Sequence, residues 1–115
     1  MIAVIFEVEP EEGQQSAYLD IAATLRPMLE EVEGFLSVER FQSLSDPRKV
    51  LSLSFFEDEE AVRRWRTLST HRAAQTSGRG GIFKGYRLRV AQVIRDYGMT
   101  DRAEAPQDSK GIHAD

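Results

Sequence analysis

Residues 35–57 read "FLSVERFQSLSDPRKVLSLSFFE". Two alternating runs, "FLSVERFQS" and "VLSLSFFE", flank the segment "SDPRK". Aspartate followed by proline is good turn chemistry, because Asp bonds its own backbone and Pro presets φ. The stretch therefore predicts an antiparallel β-hairpin. The segments on either side of this hairpin decide the fold.

On the N-terminal side the period is helical. Tyr18, Ile21, Ala22, Leu25, Leu29 and Val32 form one apolar stripe, and Gly34 reads as a left-handed cap. Before that helix, "IAVIFEVE" (2–9) alternates as a strand, with Ile2, Val4, Phe6 and Val8 on one face. On the C-terminal side, "DEEAVRRWRTL" is a short helix with acidic residues at its start, where the helix dipole favours them. Its apolar stripe is Ala61, Val62, Trp65 and Leu68. Ser69 or Thr70 can cap a further helix through about Ser77, and "GRGG" ends it. "YRLRVAQVIRDY" (86–97) alternates again, with Tyr86, Leu88, Val90 and Ile94 on one side.

The order is β-α-β-β-α-β. Its simplest arrangement is an α+β, ferredoxin-like domain: a four-stranded antiparallel sheet with the helices on one face. The domain spans residues 1–97. Residues 98–115 lose periodicity and large apolar groups, and read as a flexible tail or an arm embracing a partner. The other sheet face would carry Ile5, Phe41, Ala91 and Val93 among Glu39, Arg87, Arg89 and Arg95. That mixture suits a subunit interface, so the expected partner is a second copy, packed sheet to sheet in a symmetric homodimer.

Bulk properties exclude several classes. The chain has 115 residues, enough for one domain, and a formal net charge of −4. With no basic stripe interleaved with aromatics, no nucleic-acid partner is expected. The start "MIAVIFEVEP" is too short and too quickly acidic for a signal peptide or membrane span, so no membrane partner is expected. Cysteine is absent, which removes thiolate nucleophiles, Cys-based zinc sites and iron–sulfur clusters, and fits a cytoplasmic setting. No His-x-x-x-His or His-x-Glu set exists, so no metal site is expected.

Trp65 and His71 are the candidate catalytic residues. Trp65 is the only tryptophan. It reads either as a core anchor or as a pocket wall that stacks on a flat substrate and offers one N–H. His71, six positions later, would sit in the first turn of a further helix, where the dipole keeps the imidazole neutral and able to take a proton. It reads equally as a histidine bonded to backbone. Phe6 and the even-numbered face of the last strand, including Tyr86, would floor the pocket, and Phe6, Tyr86 and Trp65 would bind substrate.

"GFLSVERF", "LSLSFFEDEEAVRRW", "HRAAQTSGR" and "YRLRVAQVIRDY", in this order over residues 1–97, resemble the antibiotic biosynthesis monooxygenase-like domains. The resemblance implies a dimeric α+β barrel. It also implies a choice of activities, among them cofactor-free oxygenation of polycyclic aromatics and heme degradation. Heme-degrading relatives match at Trp65, but Gln75 stands where they carry the iron-ligating histidine and Phe6 where they carry a first-strand asparagine. In the polyketide-oxidising relatives a tyrosine corresponds to His71 and an asparagine to Ala61. The implied function is a cofactor-independent monooxygenase acting on a small aromatic or enolisable molecule, with His71 as base. The alternative is a non-catalytic dimer that binds a small ligand or a partner protein.

Overall fold

The structure of the chain, a computed structural model, describes the backbone of residues 1–75 and 81–110 and the side chains of residues 1–69 and 81–109. The elements follow the expected order: β1 (Ile2–Pro10), α1 (Gln15–Glu30), β2 (Phe35–Gln42), β3 (Val50–Phe56), α2 (Glu59–Gln75) and β4 (Phe83–Gln92), with a further short helix α3 (Gln107–Lys110). The four strands form one antiparallel sheet in the order β2-β3-β1-β4. This is the ferredoxin-like α+β fold.

The hairpin of residues 35–57 pairs β2 with β3, Val38 opposite Ser54 and Arg40 opposite Ser52. Its turn closes through Asp46. The carboxylate accepts from the Arg48 backbone N–H at 3.2 Å and from its guanidinium at 3.0 Å, and the Asp46 carbonyl accepts from Lys49 N–H at 2.9 Å. β1 lies between β3 and β4, with Phe6 facing Ser52 on one side and Leu88 on the other. The β1–β4 register shifts between Glu9 and Pro10. Proline offers no N–H to the ladder and belongs at such an irregularity.

Even-numbered residues of β1 point toward the helices. Val8 and Val50 pack with Tyr18 of α1 and with Ile82. Val38 and Phe56 pack with Leu29 of α1 and Ala61 of α2, joined by Val4, Phe35, Val62 and Trp65. The reverse face carries Ala3, Ile5, Glu39, Phe41, Leu53, Phe55, Arg87, Arg89 and Ala91, as the alternation predicts.

Three local expectations are corrected. First, α2 does not break at Ser69 or Thr70. Ser69 donates its hydroxyl proton to the Arg66 carbonyl at 3.1 Å, so the side chain is satisfied inside the helix instead of capping a new one. The cap lies at the true start, where Asp58 accepts from Ala61 N–H at 2.9 Å. Second, α1 ends at Glu30, its last turn closed by Glu31 N–H on Met28 and Leu29 carbonyls. Gly34 is left-handed (φ +92°), as expected, but it serves to turn the chain into β2. Third, β4 stops at Gln92, not near Tyr97. Gln92 faces Ile2, the first residue of β1, so the ladder runs out of partner. Val93 makes one more bond, to the Met1 carbonyl at 3.0 Å.

Residues 96–109 bond among themselves. Arg102 donates to the Gly98 carbonyl at 2.9 Å and the Ser109 carbonyl at 3.0 Å, and lies over the Tyr97 ring. Asp96 N–H donates to Glu104 at 2.8 Å. The molecule measures 55 × 34 × 20 Å with a radius of gyration of 16.8 Å, against about 13 Å for a compact fold of this size.

Candidate functional site

The helices leave part of their own side of the sheet uncovered. β4 is an edge strand, and its helix-facing residues Tyr86, Leu88 and Val90 are 66%, 52% and 49% exposed. They sit beside Val8, Phe6 and Val4 of β1, in that order. The result is an apolar floor open to solvent. An unburied apolar surface on the face that should hold the core marks a ligand or partner site.

Aromatic rings gather at one end of this floor. Phe6 and Tyr86 have centroids 5.5 Å apart, and Phe83 meets both at 6.2 Å and Tyr18 at 5.8 Å. The Phe83 pairs are edge-on, the geometry that ring quadrupoles favour. Trp65, half-buried, rises from α2 over the neighbouring packing group, which includes Val4. Val4 and Phe6 are successive residues on the same strand face, so the tryptophan borders the floor at its Val4 end.

The four sequence-derived residues therefore divide. Phe6 and Tyr86 are brought together as a ring pair. Trp65 belongs to an adjacent packing group. His71 lies on the last turns of α2, and its side chain falls outside the described residues. α2 runs unbroken through Ser69 and Thr70, so no helix start lies beside His71 to keep its imidazole neutral. Six residues apart on one unbroken helix, positions 65 and 71 are about 9 Å apart along the axis. They do not have the i, i+3 or i, i+4 spacing of a shared face.

Leu88 and Val90 share the floor with Tyr86 along the even-numbered face of β4, and Phe83, which reads mostly as core in the sequence, joins them. Three polar residues on the helix-facing side of the sheet, Arg40, Ser52 and Ser54, went unread in the sequence. The signal was present. Period-two alternation from Val38 and Val50 puts these three on the side where apolar residues belong.

Perturbed carboxylates lie away from the floor. Asp46 is held below its ordinary value of 3.8, chiefly by the Arg48 hydrogen bond, and Glu60 below 4.5, chiefly by the hydrogen bond from Arg63. Both pairs are on the surface. Among the described residues no group of three His, Asp or Glu side chains is placed to hold a metal ion. A separate groove of 640 Å³ between the end of α1 and the outer side of α2 is lined by Glu31, Val32, Arg63, Arg64 and Leu68 among others, and by none of the four residues above.

Known proteins resemble this chain in sequence and in fold. Over 93 residues, 81% of the chain, it is 50% identical to jasmonate monooxygenase ABM of Pyricularia oryzae. That stretch is 43% of the fungal protein, so the chain spans less than half the relative's length. A candidate antibiotic biosynthesis monooxygenase from Deinococcus radiodurans superposes with a TM-score of 0.73 at 10% identity, covering 87% of this chain and 99% of that one. The heme-degrader MhuD of Mycobacterium tuberculosis, solved with two hemes in its active site, superposes at 0.66 with 20% identity, covering 85% and 100%. At these identities the structures speak for the fold alone. The family model for antibiotic biosynthesis monooxygenases matches residues 1–77, which is most of the described sheet and both of its helices, and with the fungal relative it establishes that the chain belongs to this family.

Proposed function

We propose that the chain is a cofactor-independent monooxygenase of a small apolar molecule, held on the floor of Phe6, Tyr86, Leu88 and Val90 with Trp65 as a wall. The observation that carries this reading is the apolar floor itself, left open on the helix side of the sheet. Kinship with a jasmonate monooxygenase supports the reaction class. MhuD, with its hemes, is an example of this fold receiving large flat ligands.

The chemistry needs little from the protein. His71 would take a proton from an aromatic or enolisable substrate, and the anion would reduce dioxygen. An activated CH₂ becomes C=O, one oxygen atom stays in the product and the other leaves as water, so the substrate supplies all the electrons. An apolar floor excludes water from the reactive anion. Gln75 is a poor iron ligand, which favours this route over heme cleavage.

The working unit would be a homodimer joined through the sheet face opposite the helices, in the cytoplasm. That face exposes apolar residues such as Ile5, Phe41 and Leu53 beside charges including the Glu7–Arg89 pair at 3.4 Å. The fungal relative is long enough to hold two stretches of the matched size, as a fused pair would require. Residues 98–115 would lie outside the domain, as a flexible tail or as an arm toward the partner. Among the described residues no helix is long and apolar enough to cross a membrane.

One observation favours a non-catalytic ligand carrier. Ala61, which corresponds to an asparagine of the polyketide-oxidising relatives, is fully buried against Gly34, and Phe6 replaces another polar position. Oxygen uptake separates the two readings. The purified protein should consume dioxygen with at least one member of a panel of anthrones, quinols and jasmonate. Binding of panel members without oxygen uptake would establish the carrier.

A further inference from the structure

We propose that Arg40, flanked by Ser52, is an anion subsite at one end of the ligand floor, and that the natural ligand is an apolar molecule bearing a carboxylate. The inference rests on the small-ligand reading above and names the ligand's chemical class.

The register sets the geometry. Arg40, Ser52, Phe6 and Leu88 form one row across β2, β3, β1 and β4, all on the helix-facing side. With strands about 4.8 Å apart, the Arg40 backbone is about 10 Å from that of Phe6 and about 14 Å from that of Leu88. Ser52, between Arg40 and Phe6, has the smallest side chain of the row. Its small side chain does not fill the space beside the long Arg40 side chain, and it adds a hydroxyl donor there.

The charge pattern singles Arg40 out. Within the regular ladder, the other charged residues (Glu7, Glu9, Glu39, Arg87 and Arg89) all sit on the opposite face. Arg40 alone brings a charge to the apolar side. It is half-buried, and its Nε is shut off from solvent with no hydrogen-bond partner among the described residues. Among the described residues no carboxylate lies within ion-pair distance of it. Arg102 also has an unpartnered buried Nε, but its terminal nitrogens bond the Gly98 and Ser109 carbonyls.

A guanidinium stays charged at any physiological pH. Buried polar groups are ordinarily satisfied, and an unpaired one carries a desolvation penalty. A carboxylate answers it directly, because its two oxygens match the planar fork of the guanidinium. The ligand's apolar body would then reach from Phe6 to Leu88, within the span of the row.

The test compares acids with their neutral esters. Jasmonate and 2-naphthoate, each beside its methyl ester, are titrated into the intact protein by calorimetry. The acids are expected to bind at least about 10-fold tighter than the esters, as a charge-assisted hydrogen bond implies. Arg40→Met should abolish that preference by weakening acid binding and sparing ester binding, while Arg40→Lys keeps part of it. Arg40→Met should melt no lower than the parent, since it removes an unsatisfied buried group, so loss of binding will not reflect unfolding. Equal binding of acid and ester, or a preference that survives in Arg40→Met, overturns the subsite while oxygen uptake still upholds the proposed function. If neither acids nor esters bind, subsite and ligand floor both fall.

Discussion

Gly34 and Ala61 meet so closely that a β-carbon built on the glycine would stand 2.7 Å from that of the alanine. The contact locks the entry of β2 against the first turn of α2, and Glu57 N–H donates to the Gly34 carbonyl at 2.7 Å beside it. Gly34→Ala should therefore destabilise the fold by about 2–4 kcal/mol, combining a left-handed backbone penalty with overpacking. Chemical denaturation measures this. Ala61→Gly in the same chain should recover the steric part and leave the backbone part, a non-additive double-mutant cycle.

Leu88 separates binding from stability. It is half-exposed, so Leu88→Asp should change unfolding free energy by only about 0.5 kcal/mol. Its effect on ligand affinity should be large, at least about 10-fold, because the charge would stand in the centre of the apolar floor. Parallel melting and calorimetric titration test the pair of outcomes.

His71→Ala should lower turnover by about 10²-fold if the histidine is the general base. Trp65→Phe should mainly raise KM, since the ring is kept and only the N–H and some area are lost. Steady-state kinetics on a verified substrate check both. Full activity in the alanine variant would assign the base elsewhere.

The Asp46–Arg48 turn gives the acid limb of stability a specific contributor. A carboxyl whose folded pKa lies below its unfolded value stabilises the fold above the unfolded pKa and loses that effect as pH falls through the folded one. NMR titration should place Asp46 below 3.8, and Arg48→Met should move it upward. No movement would show that the hydrogen bond is not the cause.

Sedimentation should find a homodimer at micromolar concentration, and Leu53→Glu, on the face away from the helices, should release monomers. A chain ending at residue 97 should keep its unfolding free energy within about 1 kcal/mol, because the side-chain hydrogen bonds of residues 98–109 stay close to that segment. A larger loss would show that the segment is docked.

The fold was legible because its signals were local and agreed with one another. Asp46 and Pro47 announced the hairpin, and the alternation of residues 2–9 placed Val4, Phe6 and Val8 correctly on the helix side. The site was less legible. Ser69 reads as a cap from sequence, and only the Arg66 carbonyl within reach shows that the helix satisfies it internally. Alternation places Tyr86, Leu88 and Val90 on the helix side but does not report whether a helix arrives to cover them, so how far the floor stays open was not readable. Arg40 was hidden for the same reason: its face is readable, its missing partner is not.

β4 is a margin of the sheet as well as the floor of the site. One of its edges offers unpaired backbone groups alongside Tyr86, Leu88 and Val90, and such an edge invites another chain to add itself. Arg87 and Arg89 punctuate this stretch, so a copy laid on in register would bring like charges together. The Pro10 irregularity interrupts the ladder at its far end. The strand that keeps room for a ligand thus carries its own deterrent against aggregation. Replacing both arginines with threonine should leave the ligand floor in place and let chains associate edge to edge through β4.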